Sequence, residues 1–150
     1  MKSIYNFVVT PKGERYNNKK KVGDSELILN TEIFNHQYVN KEAIVISTPI
    51  VGQTDIKAGD TVIVHHNIFR RWHNIRGEEK NSKSFFNEST YFINQDQIFL
   101  YKRNNGWKAP KGYCFIKPLK ATNPLNIDLE KPLQGIIKYS DGTVKVGDLI

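Results

Sequence analysis

The chain has 150 residues and a mass of 17.3 kDa, enough for one ordinary domain or two very small ones. Hydrophobic residues make up 39% and aromatic residues 11%, which excludes a disordered tail, and no apolar run approaches the roughly 18 residues of a membrane span. The formal charge is +7, but 17 of the 22 basic residues are Lys, alongside 17 Ile and 15 Asn. Those three residue types share A/T-rich codons, so the charge is as much a matter of codon usage as of an acidic partner.

The single cysteine, Cys114, excludes an internal disulfide frame and a cysteine-rich zinc site. With the absence of an apolar h-region behind Lys2, it points to a reducing cytoplasm. Cys114 lies in an apolar run and reads as a small core residue rather than a nucleophile.

In chain order, residues 5–9 are β-rich and end at Pro11-Lys12-Gly13. Residues 14–24 are polar and lysine-rich and end in Gly23-Asp24, and Leu27-Ile28-Leu29 is an aliphatic island before Asn40. Strands are expected at 43–47, at 61–65 after Ala58-Gly59-Asp60, at 91–93, at 98–101, at 113–116 and at 134–138. No window sustains helical periodicity, so the expected class is all-β, a small barrel or sandwich. Two irregular stretches are expected, over 14–40 and 67–90.

The chain also echoes itself. Tyr5-Asn6-Phe7-Val8-Val9-Thr10-Pro11 is matched by Tyr113-Cys114-Phe115-Ile116-Lys117-Pro118. Glu42-Ala43-Ile44-Val45-Ile46-Ser47 is matched by Gln134-Gly135-Ile136-Ile137-Lys138-Tyr139-Ser140, and Ile56-Lys57-Ala58-Gly59-Asp60-Thr61-Val62 by Val144-Lys145-Val146-Gly147-Asp148-Leu149-Ile150. The order is the same in both copies, but Pro11 to Ala43 is 32 positions and Pro118 to Gly135 only 17. The division expected is 1–103, holding the loop 14–40 and the insert 67–90, and 104–150, a partial second copy that a truncated chain or a reduced repeat would explain.

These segments resemble the GroES-like co-chaperonins. The carriers are the opening strand at 5–9, the Leu27-Ile28-Leu29 tripeptide on a loop, the strand at 43–47, and Ile56-Lys57-Ala58-Gly59-Asp60-Thr61-Val62. Asn94-Gln95-Asp96-Gln97-Ile98-Phe99-Leu100 matches the closing strand, so the resemblance covers roughly residues 4–102, and the Lys/Asn/Ile bias is similar to that of members encoded by tailed bacteriophages. It implies a small β-barrel and a flexible loop whose Leu27, Ile28 and Leu29 dock on a chaperonin. It also implies a seven-fold homo-oligomeric ring that caps a host or cognate chaperonin. That partner hydrolyses ATP; this chain is no enzyme and needs no cofactor. The implied place is the cytoplasm, that of the host for a phage-encoded member. Four features depart from the family, the first being a short segment between Ser47 and Asp60 that reduces any roof hairpin. Ser25-Glu26 stands where a glycine pair is usual, the insert 67–90 is long, and the second partial copy is extra.

The bare residues leave other readings open. Leu27-Ile28-Leu29 can be a barrel strand. Arg70, Arg71, Trp72 and Arg76 interleave cations with an aromatic ring, as a nucleic-acid or partner contact needs, or else pack Phe69 and Trp72 on the barrel with solvated arginines. A β-barrel nucleic-acid-binding accessory protein and a phage structural protein reusing the barrel are the alternatives. His65 and His66, adjacent in an expected strand, should point to opposite faces and share no metal.

Overall fold

The computed structural model describes residues 1–104, 106–122 and 130–150, so part of the expected second copy, residues 105 and 123–129, lies outside the described residues. Short β-branched and aromatic runs fold as strands because a pleated, half-buried surface suits them, and Gly, Pro, Asn and Asp between them supply the turns. The strand pairs named below are antiparallel, and no α-helix occurs among the described residues. The chain divides into two units, Met1–Phe99 and Leu100–Ile150.

In the first unit, β1 (Phe7–Pro11), β4 (Glu42–Ser47), β5 (Thr61–Val64), β8 (Phe85–Asn87) and β9 (Thr90–Ile93) lie in the order β5-β4-β1-β9-β8. Two hairpins stand apart as separate pairs: β2 (Lys19–Val22) with β3 (Ser25–Ile28), and β6 (Arg71–His73) with β7 (Glu79–Asn81). The stretch 67–90, expected to be irregular, therefore holds three short strands. No sheet among the described residues closes into a barrel. Phe7, Val9, Val45, Val62, Val64, Phe69, Tyr91 and Ile93 form the core, with the Phe69 and Tyr91 rings edge to face at 4.7 Å.

β10 (Ile98–Arg103) begins in the first unit, after a 3₁₀ turn at Gln95–Gln97, and pairs with β11 (Gly106–Lys108). The second unit is built on a longer hairpin, β12 (Cys114–Lys120) with β13 (Glu130–Ser140). Asp141 ties its far end together, accepting from the Gly112 amide at 2.7 Å and the Thr143 hydroxyl at 2.6 Å. With the Thr143 hydroxyl first among the causes, these bonds hold its carboxyl down at about 2.

The two units carry one hydrogen-bond pattern. In the first, Val9 faces Val45, Thr10 faces Ile44 and Pro11 faces Ala43, with a bulge between Val8 and Val9. In the second, Ile116 faces Ile137, Lys117 faces Ile136 and Pro118 faces Gly135, with a bulge between Phe115 and Ile116. The Val45 amide donates to Asp60 O at 2.9 Å and the Gly59 amide to Val45 O at 2.7 Å. The Ile137 amide donates to Asp148 O at 3.0 Å and the Gly147 amide to Ile137 O at 2.9 Å. Ala43 faces Val62, and Gly135 exchanges both backbone bonds with Ile150, each at 2.9 Å.

The Gly-Asp element at the centre of this pattern is a tight turn. Asp60 N–H donates to Lys57 O at 3.2 Å, and Gly59 at the third turn position takes φ +90°. A type II turn needs positive φ there, which is why glycine precedes the aspartate. Gly147 repeats it at φ +96°. No atom would touch a Cβ on Gly59, so the cost of a side chain there is backbone strain alone. Gly59→Ala should lower stability by about 1–2 kcal/mol, read as a fall in the urea midpoint with an unchanged slope.

Candidate functional site

The segment between β1 and β4, expected to be irregular over 14–40, holds the β2–β3 hairpin, and no other named strand lies in it. Its feet are held by Asn40, which is almost fully buried. The Asn40 side-chain amide donates to Lys12 O at 3.0 Å and Glu14 O at 2.9 Å, and its oxygen accepts from the Glu42 amide at 2.9 Å. Above this clamp Tyr16 bridges to Val39, Asn17 N–H donates to Tyr38 O at 2.7 Å, and Leu29 N–H donates to Asn18 O at 2.7 Å. The Tyr16 hydroxyl donates to Ile33 O and accepts from the Arg71 amide. The result is a paired stem that carries the β2–β3 hairpin.

The hairpin turns at Gly23-Asp24, where Gly23 takes φ +61° at the first of the two turn positions. A two-residue loop of that kind matches the twist of the strands it joins. Lys19 faces Ile28 and Lys20 faces Leu27. Every residue of both strands is exposed, and Leu27, Ile28 and Leu29 are 55%, 57% and 47% exposed. Leu27 and Ile28 thus sit in β3, with Leu29 just beyond it, and successive side chains in a strand point to opposite faces. Lys19 reaches Glu14 at 3.1 Å and Glu26 at 3.8 Å, and the Glu14 hydrogen bond, then the two carboxylate charges, raise its pKa.

Arg15 is the residue that a reading of the polar run 14–24 misses. Its guanidinium is buried and donates to Phe69 O at 3.2 Å, Asn81 Oδ1 at 2.8 Å and both Glu88 oxygens at 3.3 Å. It also lies 5.2 Å from the Phe85 ring centroid and 5.6 Å from that of Tyr91. Burial pushes the Tyr91 hydroxyl up to about 12, against the opposing pull of the Arg15 charge. One side chain thus joins the stem to β7, β8, β9 and the turn before β6.

The basic and aromatic stretch is divided. Arg70 and Trp72 line a groove of about 520 Å³ with Asn67, Ile68, Lys83 and Ser84. Arg71 faces elsewhere: it pairs with Glu79 at 3.1 Å and stacks over Tyr16 at 5.2 Å. Arg76 lies in the β6–β7 turn, its amide held by Asn74 Oδ1 at 2.9 Å. Glu78 and Glu79 offset the arginines within the same hairpin, and Glu78 binds Lys80 at 3.0 Å.

β5 stops at Val64, so His65 and His66 lie beyond the strand and escape its alternation. Their rings stack at 4.2 Å, where opposite faces were expected, and His36 lies 5.4 Å from His66. Among the described residues no group of three His, Cys, Asp or Glu could hold a metal. Cys114 is exposed, where a core position was expected. The outer edge of β12 pairs with no strand among the described residues.

No protein-family model, no curated protein and no solved structure matches the chain.

Two measurements follow from this geometry. Asn40→Ala strips partners from Lys12 O, Glu14 O and the Glu42 amide, and should cost about 2–3 kcal/mol with faster hydrogen exchange across the stem. Burial first, then the charges of His65, His36, Arg70 and Lys41, lower the His66 pKa below 6.5. The folded chain then binds that proton more weakly than the unfolded chain, so the stability is complete above pH 6.5 and declines as pH falls through and below it. His66→Gln should flatten the fall in urea midpoint between about pH 7 and pH 5.

Proposed function

We propose that the chain is a GroES-like co-chaperonin, a binding module whose hairpin docks Leu27, Ile28 and Leu29 on a chaperonin ring. The observation that carries this reading is the hairpin itself: three adjacent aliphatic residues stand exposed on a stem clamped at its base. The barrel of that family is part of the proposal. The order β1, outlying hairpin, β4, Gly-Asp turn, β5 supports it.

The energetics set the mechanism. Burying each aliphatic side chain contributes roughly 1.5–3 kcal/mol. Fixing each mobile residue costs about 1–2 kcal/mol, a cost the paired stem has already met in part. One hairpin binds weakly, and several on one homo-oligomeric ring reinforce each other through effective concentration. The proposed assembly is a seven-fold ring that caps the chaperonin while the chaperonin hydrolyses ATP.

Light scattering of the chain alone and with a chaperonin plus ADP tests this. The expected outcome is a ring of about seven subunits that co-elutes with the chaperonin, strong binding being possible only through several hairpins at once. Ile28→Asp should keep the fold, because its side chain is exposed, and should abolish co-elution. A monomer that ignores the chaperonin would sink the reading.

The groove holding Arg70, Trp72 and Lys83 favours one second reading, a single-stranded nucleic-acid contact. Its mark is binding that falls steeply with salt and whose salt slope shrinks in Arg70→Ala. Docking through aliphatic side chains should instead persist at moderate salt.

A further inference from the structure

The two units share one register but not one cover. Phe7, Val9 and Val62 are fully buried in the first unit and Ile56 nearly so. Their counterparts by backbone pairing are exposed: Cys114, Ile116 at 44%, Ile150 at 54% and Val144 at 37%. The first unit also shows what pairs with the edge of such a sheet. The outer edge of β1 takes β9 antiparallel, with Phe7 facing Ile93, Val8 facing Phe92 and Val9 facing Tyr91. The corresponding edge of β12, at Cys114, Phe115 and Ile116, pairs with no strand among the described residues. Ile116 and Pro118 of β12 also line, with Leu133 and Ile150, a groove of about 570 Å³ that runs from β12 across β13.

Charge narrows the occupant. β12 and β13 carry Lys117, Lys120, Lys131 and Lys138 against the one carboxylate of Glu130. The strand that fills the matching place in the first unit, Thr90-Tyr91-Phe92-Ile93, is flanked by Glu88 and Asp96. Buried side chains alternate along it, and acids flank it.

We propose that the free edge of β12 binds an extended peptide segment of a partner protein by antiparallel β-addition. Alternate apolar side chains of the segment pack beside Cys114 and Ile116, and flanking acidic residues meet the lysines of β12 and β13. Backbone pairing gives this mode its affinity, and the apolar groove selects the side chains. The inference stands on the second unit alone and does not rest on the chaperonin reading.

The probe is a labelled peptide of residues 87–97 of this chain, capped at both ends, titrated against the full chain by fluorescence anisotropy. Saturable binding that weakens with salt is expected, since exposed charge pairs are screened. Phe92 N–H donates to Ser84 O, so the Tyr91 and Ile93 amides face the β1 side. A peptide N-methylated at Tyr91 and Ile93 should therefore fail to bind. Ile116→Asp in the chain should weaken the unmodified peptide by more than about tenfold, the loss set by one unburied isoleucine. Absence of binding, or equal binding of the N-methylated peptide to the unaltered chain, overturns the proposal. So does a chain that self-associates through this edge, seen as a concentration-dependent mass that Ile116→Asp abolishes while the peptide stays unbound.

Discussion

The buried amide of Asn40 is the constraint on which the first unit turns. β1 and β4 pair directly, yet 30 residues separate Pro11 from Glu42. Closing that excursion is costly unless its two ends are fixed to each other. Asn40 fixes them with three hydrogen bonds to the backbone of Lys12, Glu14 and Glu42. A buried amide of this kind has few ways to be satisfied, so it selects one register. Arg15, next along the stem, then binds the excursion to Phe69, Asn81 and Glu88. The hairpin beyond is presented at a set place because its base is polar, buried and fully paired.

The strands were legible where the signal is local. Residues 42–47 and 61–64 carry β-branched runs bounded by turn residues, and they fold as expected. Leu27, Ile28 and Leu29 were legible as an aliphatic island in a polar segment, and they are exposed. Asn40 and Arg15 were not legible. Each sits among polar residues, and its burial depends on partners 26–28 and 54–73 positions away respectively. The insert failed for the same reason: Arg71, Trp72 and His73 form a strand only because Glu79, Lys80 and Asn81 face them. His65 and His66 were misplaced by one assumption, that the strand ran through them. The histidine pair, like Cys114, shows that a strand's last residue and its neighbours decide what its side chains meet.

The stem also sets what the proposed docking would cost. A free loop would lose conformational freedom over its whole length on binding. Here the backbone from Lys19 to Ile28 is already paired across the hairpin, so a partner needs to order little more than side chains. Preorganisation of this kind raises affinity without adding a contact. It also restricts geometry. Lys19, Lys20 and Lys21 line the strand opposite the triplet, and an apolar groove that accepts Ile28 must leave those ammonium groups in water or meet them with acids.

The repeated register separates two things that are often confounded. Local chemistry decides how these strands pair: the bulge at Val8 and Val9 recurs at Phe115 and Ile116, and the turn at Gly59-Asp60 recurs at Gly147-Asp148. Neighbouring elements decide whether the same positions become a core. Val45 and Ile137 are buried in both units, where each has a paired strand on one side and the backbone of a Gly-Asp turn on the other. Val9 and Ile116 differ because β9 lies against the first, and no strand takes the equivalent place beside the second among the described residues. Hydrogen-bond register alone therefore forms the pattern without forming the core. An apolar position left open in that pattern keeps roughly 25 cal/mol per Å² of unspent driving force for whatever strand can reach it.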